Sequence, residues 1–270
     1  MSEAWKDRVV VVTGGSAGLG LAIVRAFADR GAKVVAAARD VDRLDAALAP
    51  LKAAGKSVVG VVADVSREGD CKWLVDRTRG QWGKIDVLVN NVGRSTRGRA
   101  IEVTPEEFQA AWEVNFLTAV NATRAAYESI RETKGSIVNI SSLAGKSASR
   151  HLGAYPPAKF ALAAWSQQLR LELDAEGIHV FLVCPGPIVR EDAGERYDIE
   201  AANLPPEARQ PGGGVKVGSI EPDWLAGQIV DGCEGRWPEL VVPWRARFLF
   251  AIQQMWPSLG DWLLNRFTSS

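Results

Sequence analysis

TGGSAGLG, residues 13–20, follows a short apolar run and opens a helical pattern. Glycine in such a turn lets the backbone come close to a pyrophosphate, and the next helix presents unpaired N–H groups and the positive end of its dipole. The stretch is neither G-x-G-x-x-G nor a nucleoside-triphosphate P-loop, because no Lys-Ser/Thr pair closes it. It therefore predicts either a dinucleotide-binding turn or merely a tight βα turn, and other features must decide.

Apolar runs and longer helical patterns alternate outward from this turn. The predicted strands are Val9–Thr13, Lys33–Ala38, Ser57–Ala63, Ile85–Asn90, Ser136–Ser141 and His179–Cys184. The predicted helices are Gly18–Arg30, Val41–Ala54, Glu68–Gly80, Pro105–Thr133 and Pro157–Glu176. This alternation is typical of βαβ units with right-handed crossovers. We therefore predict an α/β fold: a single doubly wound (Rossmann-type) domain with a parallel sheet, helices on both faces and a C-terminal helical extension.

The chain beyond the sixth predicted strand has three parts. Residues 190–218 are polar, with three prolines and a triple glycine, which indicates a lid over the substrate. A helix near Pro222 and a short strand at Leu240–Val242 then complete a dinucleotide-binding and catalytic domain over residues 1–243. Residues 244–270 are rich in aromatic and aliphatic side chains, and Pro257 divides them into two short helical stretches.

Composition excludes several classes of protein. The formal net charge of the 270 residues is zero, so no long-range field favours a nucleic-acid partner. Three widely spaced cysteines and only two histidines show neither a disulfide framework nor metal-ligand spacing, so no metal is expected. The N-terminus has no signal-peptide pattern and no apolar stretch is long enough to span a membrane, which favours a cytoplasmic location.

Further motifs occur in a fixed order after the glycine turn. They are Asp64-Val65, Asn90-Asn91-Val92-Gly93, EVNF with Asn115, NISSLAG with Ser142, the pair Tyr155 and Lys159, and Pro185-Gly186. With Thr13, Gly14, Gly18 and Gly20 as T-G-x-x-x-G-x-G, this series resembles the short-chain dehydrogenase/reductase family. The resemblance runs from about residue 8 to 190, with valine at 92 where the family has alanine.

The resemblance implies a catalytic set and a cofactor cradle. The candidate catalytic residues are Asn115, Ser142, Tyr155 and Lys159. The candidate cofactor-binding residues are Thr13, Gly14, Ser16, Gly18, Leu19, Gly20, Arg39, Asp64, Val65, Asn91, Val92, Gly93, Tyr155, Lys159, Pro185, Gly186 and Ile188. Two departures from the family pattern are Ala158, where serine is common, and Arg190, where a threonine often contacts the nicotinamide amide.

The implied reaction is hydride transfer between a nicotinamide cofactor and a carbonyl or secondary alcohol. Tyr155 would be the general acid/base, and Lys159 would stabilise its phenolate and bind the nicotinamide ribose. Ser142 would orient the substrate oxygen, and Asn115 would hold a water that relays protons. Each residue also has an ordinary structural interpretation, as a cap, a packing hydrogen bond or a solvated pair. Their joint spacing behind a dinucleotide turn favours the catalytic interpretation.

The end of the second strand bears on cofactor choice. Enzymes that use NAD usually place an acidic residue there for the ribose diol. This chain has Ala38 followed by Arg39, and an arginine can pair with a 2′-phosphate. We therefore favour NADP(H). In the alternative, Arg39 is a solvated charge and Asp40 binds the ribose of NAD(H).

GAYPPAKFAL, residues 153–162, places two prolines between the candidate tyrosine and lysine. Proline is tolerated in the first turn of a helix, where N–H groups have no partner inside the helix. Pro156 and Pro157 therefore predict the helix start, with Tyr155 at its edge and Lys159 one turn on. Since a residue before proline avoids the α region, we expect that Tyr155 and Pro156 are not both helical.

Substrate and partners are less constrained by the sequence. Loops at 94–98, 147–152 and 190–218 are expected to set specificity, and His151 either touches substrate or has no role. We expect a small lipophilic carbonyl or alcohol substrate and a homodimer or homotetramer. The apolar tail, residues 244–270, would pack on the domain or a second subunit, in preference to peripheral membrane contact. A catalytically silent NADP(H)-binding sensor or scaffold is the alternative function, which the intact Ser142, Tyr155 and Lys159 argue against.

Overall fold

The computed structural model describes residues 3–190, 197, 199–210, 212 and 217–268. Within these ranges the strands form one parallel sheet in the order β3-β2-β1-β4-β5-β6-β7. The strands are β1 (Val9–Thr13), β2 (Lys33–Ala38), β3 (Val58–Val62), β4 (Val87–Asn90), β5 (Ser136–Ile140), β6 (His179–Pro185) and β7 (Glu239–Val242). The strand order reverses direction between β1 and β4, as in doubly wound folds that bind ligands at that point.

Helices cover both faces of the sheet. The helices are α1 (Gly18–Asp29), α2 (Val41–Ala53), α3 (Glu68–Trp82), α4 (Pro105–Trp112), α5 (Thr118–Thr133), α6 (Tyr155–Glu172), α7 (Pro222–Glu234), α8 (Ala246–Met255) and α9 (Pro257–Thr268). Residues of α1, α2 and α7 share one apolar core, whereas residues of α3, α5 and α6 pack against the other face. The predicted doubly wound α/β fold with C-terminal helices is therefore confirmed.

Strand β1 illustrates why the sheet is buried on both sides. Its sequence is VVVVT, and all five residues are buried. Val10 and Val12 belong to the core on one face and Val11 to the core on the other. Near-continuous runs of β-branched residues are typical of parallel strands covered by helices, because side chains on both faces are then removed from water.

A chain of buried polar side chains crosses the sheet beneath α5 and α6. Asn90 Nδ2 donates to Thr123 Oγ1 at 2.9 Å and to Asn139 Oδ1 at 2.8 Å. Asn139 Nδ2 in turn donates to Ser166 Oγ at 2.9 Å. These bonds tie β4 and β5 to both helices, because buried polar groups must find partners inside the protein. They thereby fix the position of α6.

The predicted helix Pro105–Thr133 is interrupted. A π-helical turn over Glu113–Leu117 separates α4 from α5. A π-helical turn adds one residue to a helix without requiring any particular type of side chain. The apolar periodicity of the sequence therefore did not reveal it.

The expectation that Tyr155 and Pro156 are not both helical is wrong. Helix α6 begins at Tyr155, with Ala154 as its N-cap and both prolines in its first turn. The Tyr155 N–H donates to Leu152 O at 3.1 Å, so Tyr155 is the last residue of a hydrogen-bonded turn over residues 152–155. This bond outweighs the local bias against the α region before proline.

The predicted break at Pro257 separates α8 from α9. Ala246 and Phe250 of α8 pack against a small core cluster that includes Leu182, Cys184 and Val241. Among the described residues, no helix has the length and apolarity needed to cross a membrane.

His179 is the first residue of β6. It therefore lies at the edge of the sheet where the strands begin, opposite the edge formed by their carboxyl ends. Its Nε2 is 2.8 Å from Trp237 O, so Nε2 donates and Nδ1 accepts from Ser136 Oγ at 3.1 Å. The ring also stacks on Phe181 at 5.9 Å between centroids. Burial lowers the pKa of His179, so the folded protein prefers the neutral ring.

We predict a stability loss in mild acid that depends on His179. A base whose pKa is lowered by folding contributes its full stability above the unfolded pKa, near 6.5, and loses it as the pH falls below that value. The free energy of unfolding of the wild type, from denaturant titrations monitored by circular dichroism, should therefore fall more steeply below pH 6.5 than that of His179→Gln. His151→Gln, which replaces the only other histidine, is the matched control for exchanging an imidazole for an amide. Equal slopes for wild type and His179→Gln would contradict this prediction.

Candidate active site

The glycine turn after β1 brings helix and strand into direct backbone contact. Gly14 and Gly18 have positive φ angles of 67° and 50°. A Cβ added at Gly20 would lie 2.0 Å from the carbonyl oxygen of Gly14, so no side chain fits there. Ala17, the N-cap of α1, offers no side-chain acceptor for the first N–H groups of the helix. These groups suit an anionic ligand such as a pyrophosphate.

Thr13 and Asn91 tie the ends of β1 and β4 together. Thr13 Oγ1 donates to Val89 O at 3.2 Å and accepts from the Asn91 N–H at 3.0 Å. Asn91 Nδ2 donates to Thr13 O at 3.1 Å and Gly14 O at 3.3 Å. The Thr13 side chain thus holds the turn from behind.

Charged residues form the rim of the site at the ends of β2 and β3. Arg39, Asp40, Arg43 and Asp64 all line the same cleft. Asp40 Oδ1 accepts from the Arg43 N–H at 3.0 Å and so caps α2. Partial burial opposes ionisation of Asp64, but hydrogen bonds from Ser66, with Arg39 and Arg67 nearby, lower its pKa below the usual value.

The predicted catalytic pair lies at the start of α6. Lys159 is only 2% exposed, and its Nζ lies 5.9 Å from the centroid of the Tyr155 ring. Nζ donates to Ile140 O at 2.9 Å, at the end of β5. Burial lowers the pKa of Lys159 to about 8, because the charged amine has lost most of its hydration. Ser142 faces the same cleft, and its Oγ accepts from the Ala144 N–H at 3.1 Å.

Asn115 lies in the π-helical turn, behind the cleft wall. Its Nδ2 donates to Ala111 O and Arg94 O, both at 3.0 Å, and its Oδ1 accepts from the Arg94 N–H at 2.9 Å. A Cβ on Gly93 would lie 3.0 Å from both Asn115 Oδ1 and Lys159 Nζ. Gly93 therefore lets Asn115 and Lys159 approach one another across the loop after β4. The proton relay assigned to Asn115 stays a prediction.

One cleft of about 1350 Å³ joins the glycine turn to the Tyr155 and Lys159 pair. This volume exceeds the range of about 300–1,000 Å³ typical of a site for one small ligand, so two reactants can fit side by side. Of the predicted site residues, the cleft is lined by Gly14, Ser16, Gly18, Leu19, Gly20, Arg39, Asp64, Val65, Asn91, Val92, Gly93, Ser142, Tyr155, Lys159, Pro185, Gly186 and Ile188. Only Thr13 and Asn115 of the predicted set stand behind its wall.

The turn after β6 closes the cleft on the other side. The Gly186 N–H donates to Val242 O at 2.7 Å, and Ile188 pairs with Ile220 in an isolated bridge. Arg190, at the position where the family often has threonine, also lines the cleft. His151, a candidate for substrate contact, has a positive φ of 61° and is not among the lining residues.

The C-terminal tail supplies cleft residues that sequence reasoning missed. Leu249 and Phe250 of α8 and Leu264 of α9 line the cleft. The apolar composition of the tail was evident from the sequence, but no local pattern indicated that it faces the predicted catalytic residues. Their presence gives one end of the cleft an apolar wall.

Comparisons with known proteins agree with this geometry. The family model described as short chain dehydrogenase matches residues 8–198. The uncharacterized oxidoreductase YxnA of Bacillus subtilis is 37% identical over 215 residues, which cover 75% of this chain but only 60% of YxnA. The ketoacyl reductase HetN of Nostoc sp. is 36% identical over 267 residues, 96% of this chain and 89% of HetN.

Similarity extends to solved structures. The L-sorbose reductase from Gluconobacter frateurii, solved in complex with NADPH and L-sorbose, superposes with a TM-score of 0.78 at 27% identity. The superposition covers 89% of this chain and 96% of that one.

Proposed function

This chain belongs to the short chain dehydrogenase family, and we propose that it transfers a hydride between NADP(H) and a lipophilic carbonyl or secondary alcohol. The observation that carries the proposal is the common placement of Ser142, Tyr155 and Lys159 on one cleft wall, beside the glycine turn at the N-terminus of α1. Such a set fits hydride transfer, because a carbonyl needs a proton donor while its carbon accepts the hydride.

The chain's own residues would handle the proton. The nicotinamide, when bound, supplies or accepts the hydride. The Tyr155 hydroxyl gives its proton to the substrate oxygen, and Ser142 Oγ holds that oxygen in place. The buried Lys159 ammonium stabilises the phenolate that Tyr155 becomes, at a site where little water screens its charge. In the oxidative direction the same groups work in reverse.

The residues around the glycine turn fit a dinucleotide. A Cβ at Gly18 would meet nothing within 4 Å, which leaves room for phosphates at the start of α1. Preference for NADP(H) is supported by Arg39 on the cleft rim and by Asp40, whose carboxylate is occupied as the cap of α2. The reductase from Gluconobacter frateurii, with NADPH bound, is consistent with this preference. NAD(H) remains the alternative.

A lipophilic substrate is supported by the apolar end of the cleft. Leu249, Phe250 and Leu264 of the tail line it, and Leu143, which also lines the cleft, belongs to the same apolar cluster as Phe250. Leu152 adds a further apolar side chain to the cleft wall. HetN, which aligns with almost all of this chain, is named a ketoacyl reductase. We therefore propose a carbonyl on or near an acyl or other apolar chain as the substrate class. We retain residues 190–218 as its proposed lid, although residues 191–196, 198, 211 and 213–216 of that segment lie outside the described part of the chain. We also retain the cytoplasm as the proposed location.

The first test is the proton donor. Tyr155→Phe should lower kcat for reduction of aldehydes and ketones by NADPH at least about 100-fold, because the general acid is lost. NADPH binding, followed by fluorescence, should remain. Tyr127→Phe is the matched control, since the Tyr127 hydroxyl bonds to Glu176 and is not among the cleft-lining residues.

Two outcomes would contradict this assignment. Equal rates for wild type and Tyr155→Phe would remove Tyr155 from the chemistry. No turnover by either protein, with NADPH still bound, would favour the sensor or scaffold function instead.

The second test is cofactor choice. Arg39→Ala should raise the Kd for NADPH about tenfold or more, because a charge-assisted bond to the 2′-phosphate is lost. The Kd for NADH should change by less than about twofold. Arg67→Ala removes another positive charge near Asp64 but from outside the cleft wall, and should affect neither cofactor. Equal losses for NADPH and NADH in Arg39→Ala would overturn the NADP(H) preference.

We also propose a protein contact on the outer face of the tail. Leu249, Phe250 and Leu264 of the tail line the cleft, whereas other large apolar side chains of the tail are exposed: Trp244, Phe248, Met255, Trp256, Leu259 and Trp262. Large exposed apolar surfaces most often mark protein contacts, so a second copy of the chain is favoured over a membrane. Arg245 and Arg266 lie near the rings of Trp244 and Trp262, as an interfacial helix would also require.

Contact with a second copy of the chain and contact with a membrane lead to different expected results. Trp256→Ser/Trp262→Ser should reduce the oligomer size in sedimentation velocity and leave liposome flotation unchanged. The control Trp73→Ser/Trp224→Ser changes tryptophans of similar exposure, 55% and 53% against 56% and 55%, on other helices. Lost flotation with an unchanged oligomer would support the membrane contact instead.

A further inference from the structure

Arg97 is a buried arginine in the loop after β4. It is 6% exposed, although long charged side chains rarely lose contact with water. Its Nε donates to Ala208 O at 2.6 Å and its Nη2 to Gln210 O at 3.1 Å. Its Nη1 donates to Ser95 Oγ at 2.7 Å and Thr96 O at 2.8 Å. A buried charge that lost such partners would be strongly destabilising, so this contact ties the two segments to one another.

The guanidinium also supports a residue of the cleft wall. Arg97 Cζ lies 3.7 Å from the centroid of the Tyr197 ring, a close cation–π contact. Tyr197 is 8% exposed and lines the cleft. The position of this ring in the wall therefore depends on Arg97.

Glu200 forms a second connection between the same two segments. Its Oε2 accepts from the Arg97 N–H at 2.9 Å, and its Oε1 pairs with Arg94 Nη2 at 2.6 Å. The backbone of Arg94 is bonded to Asn115, next to Gly93 and Lys159. One loop thus contacts both the π-helical turn and residues 199–210.

We propose that Arg97 is a positioning residue for substrate binding. It fastens Tyr197 and residues 199–210 to the loop after β4, and thereby fixes Tyr197 as a wall of the cleft. Lysine cannot replace it, because one ammonium cannot reach carbonyls on both segments with the planar fork of a guanidinium. The inference rests on the proposed function only for its kinetic test.

The test compares Arg97→Lys, Arg97→Met and Glu200→Gln with the wild type. The KM for carbonyl substrates with apolar chains should rise about tenfold, the factor expected from losing one charge-assisted hydrogen bond, while kcat changes less than about twofold. Hydrogen exchange of peptides covering residues 199–210 should become faster by a similar factor. Arg99→Lys and Arg99→Met are matched controls, because Arg99 makes an exposed pair with Glu102 in the same loop.

Separate readouts keep this inference distinct from the proposed function. If the wild type reduces no carbonyl, hydrogen exchange decides alone: faster exchange in the Arg97 variants supports the fastening role. If Arg97→Met does not fold, Arg97→Lys and Glu200→Gln carry the test. The inference would be overturned by unchanged KM and unchanged hydrogen exchange in both Arg97→Lys and Glu200→Gln. It would also be overturned if these variants lost only as much thermal stability as the Arg99 controls, with no change in hydrogen exchange.

Discussion

The arrangement of the cleft depends on the absence of a single carbon atom at position 20. A Cβ there would lie 2.0 Å from Gly14 O, so any other residue would push α1 away from the end of β1. Because α1 starts directly against the strand, its first N–H groups open into the cleft at the point where the strand order reverses. Thr13 and Asn91 then hold the ends of β1 and β4 in register behind this turn.

A buried charge organises the other half of the cleft. The Lys159 side chain is almost completely buried, and this loss of hydration lowers its pKa to about 8. Its partner is the backbone carbonyl of Ile140, at the end of a strand that the polar chain through Asn139 and Ser166 ties to α6. A cation held so rigidly beside Tyr155 is costly for folding but well placed to act on a phenol in the proposed reaction. The fold and the proposed chemistry thus depend on the same hydrogen bonds.

Much of the fold could be predicted because its signals are local. The valines of β1 and the glycines after it act through steric and solvation effects that neighbouring residues determine. The ends of the strands differ by one or two residues at most from the expected ones, whereas α6 ends at Glu172, four residues before the predicted end at Glu176. The start of α6 was close to the prediction because proline has few places in a helix. The sequence did not predict the π-helical turn. The hydrogen bond from Asn115 to the carbonyl of Ala111 depends on a backbone geometry that the pattern of apolar residues does not indicate.

The sequence by itself determined the sheet, the glycine turn, and the spacing that puts Tyr155 and Lys159 on one helix face. These features follow from rules of short range: side-chain period, backbone freedom and helix capping. Only the tertiary structure decided that Leu249, Phe250 and Leu264 face the cleft, and that Arg97 is buried against residues far along the chain. Such contacts depend on how elements far apart in the sequence pack together. The polarity of a residue does not identify the partner that it will contact.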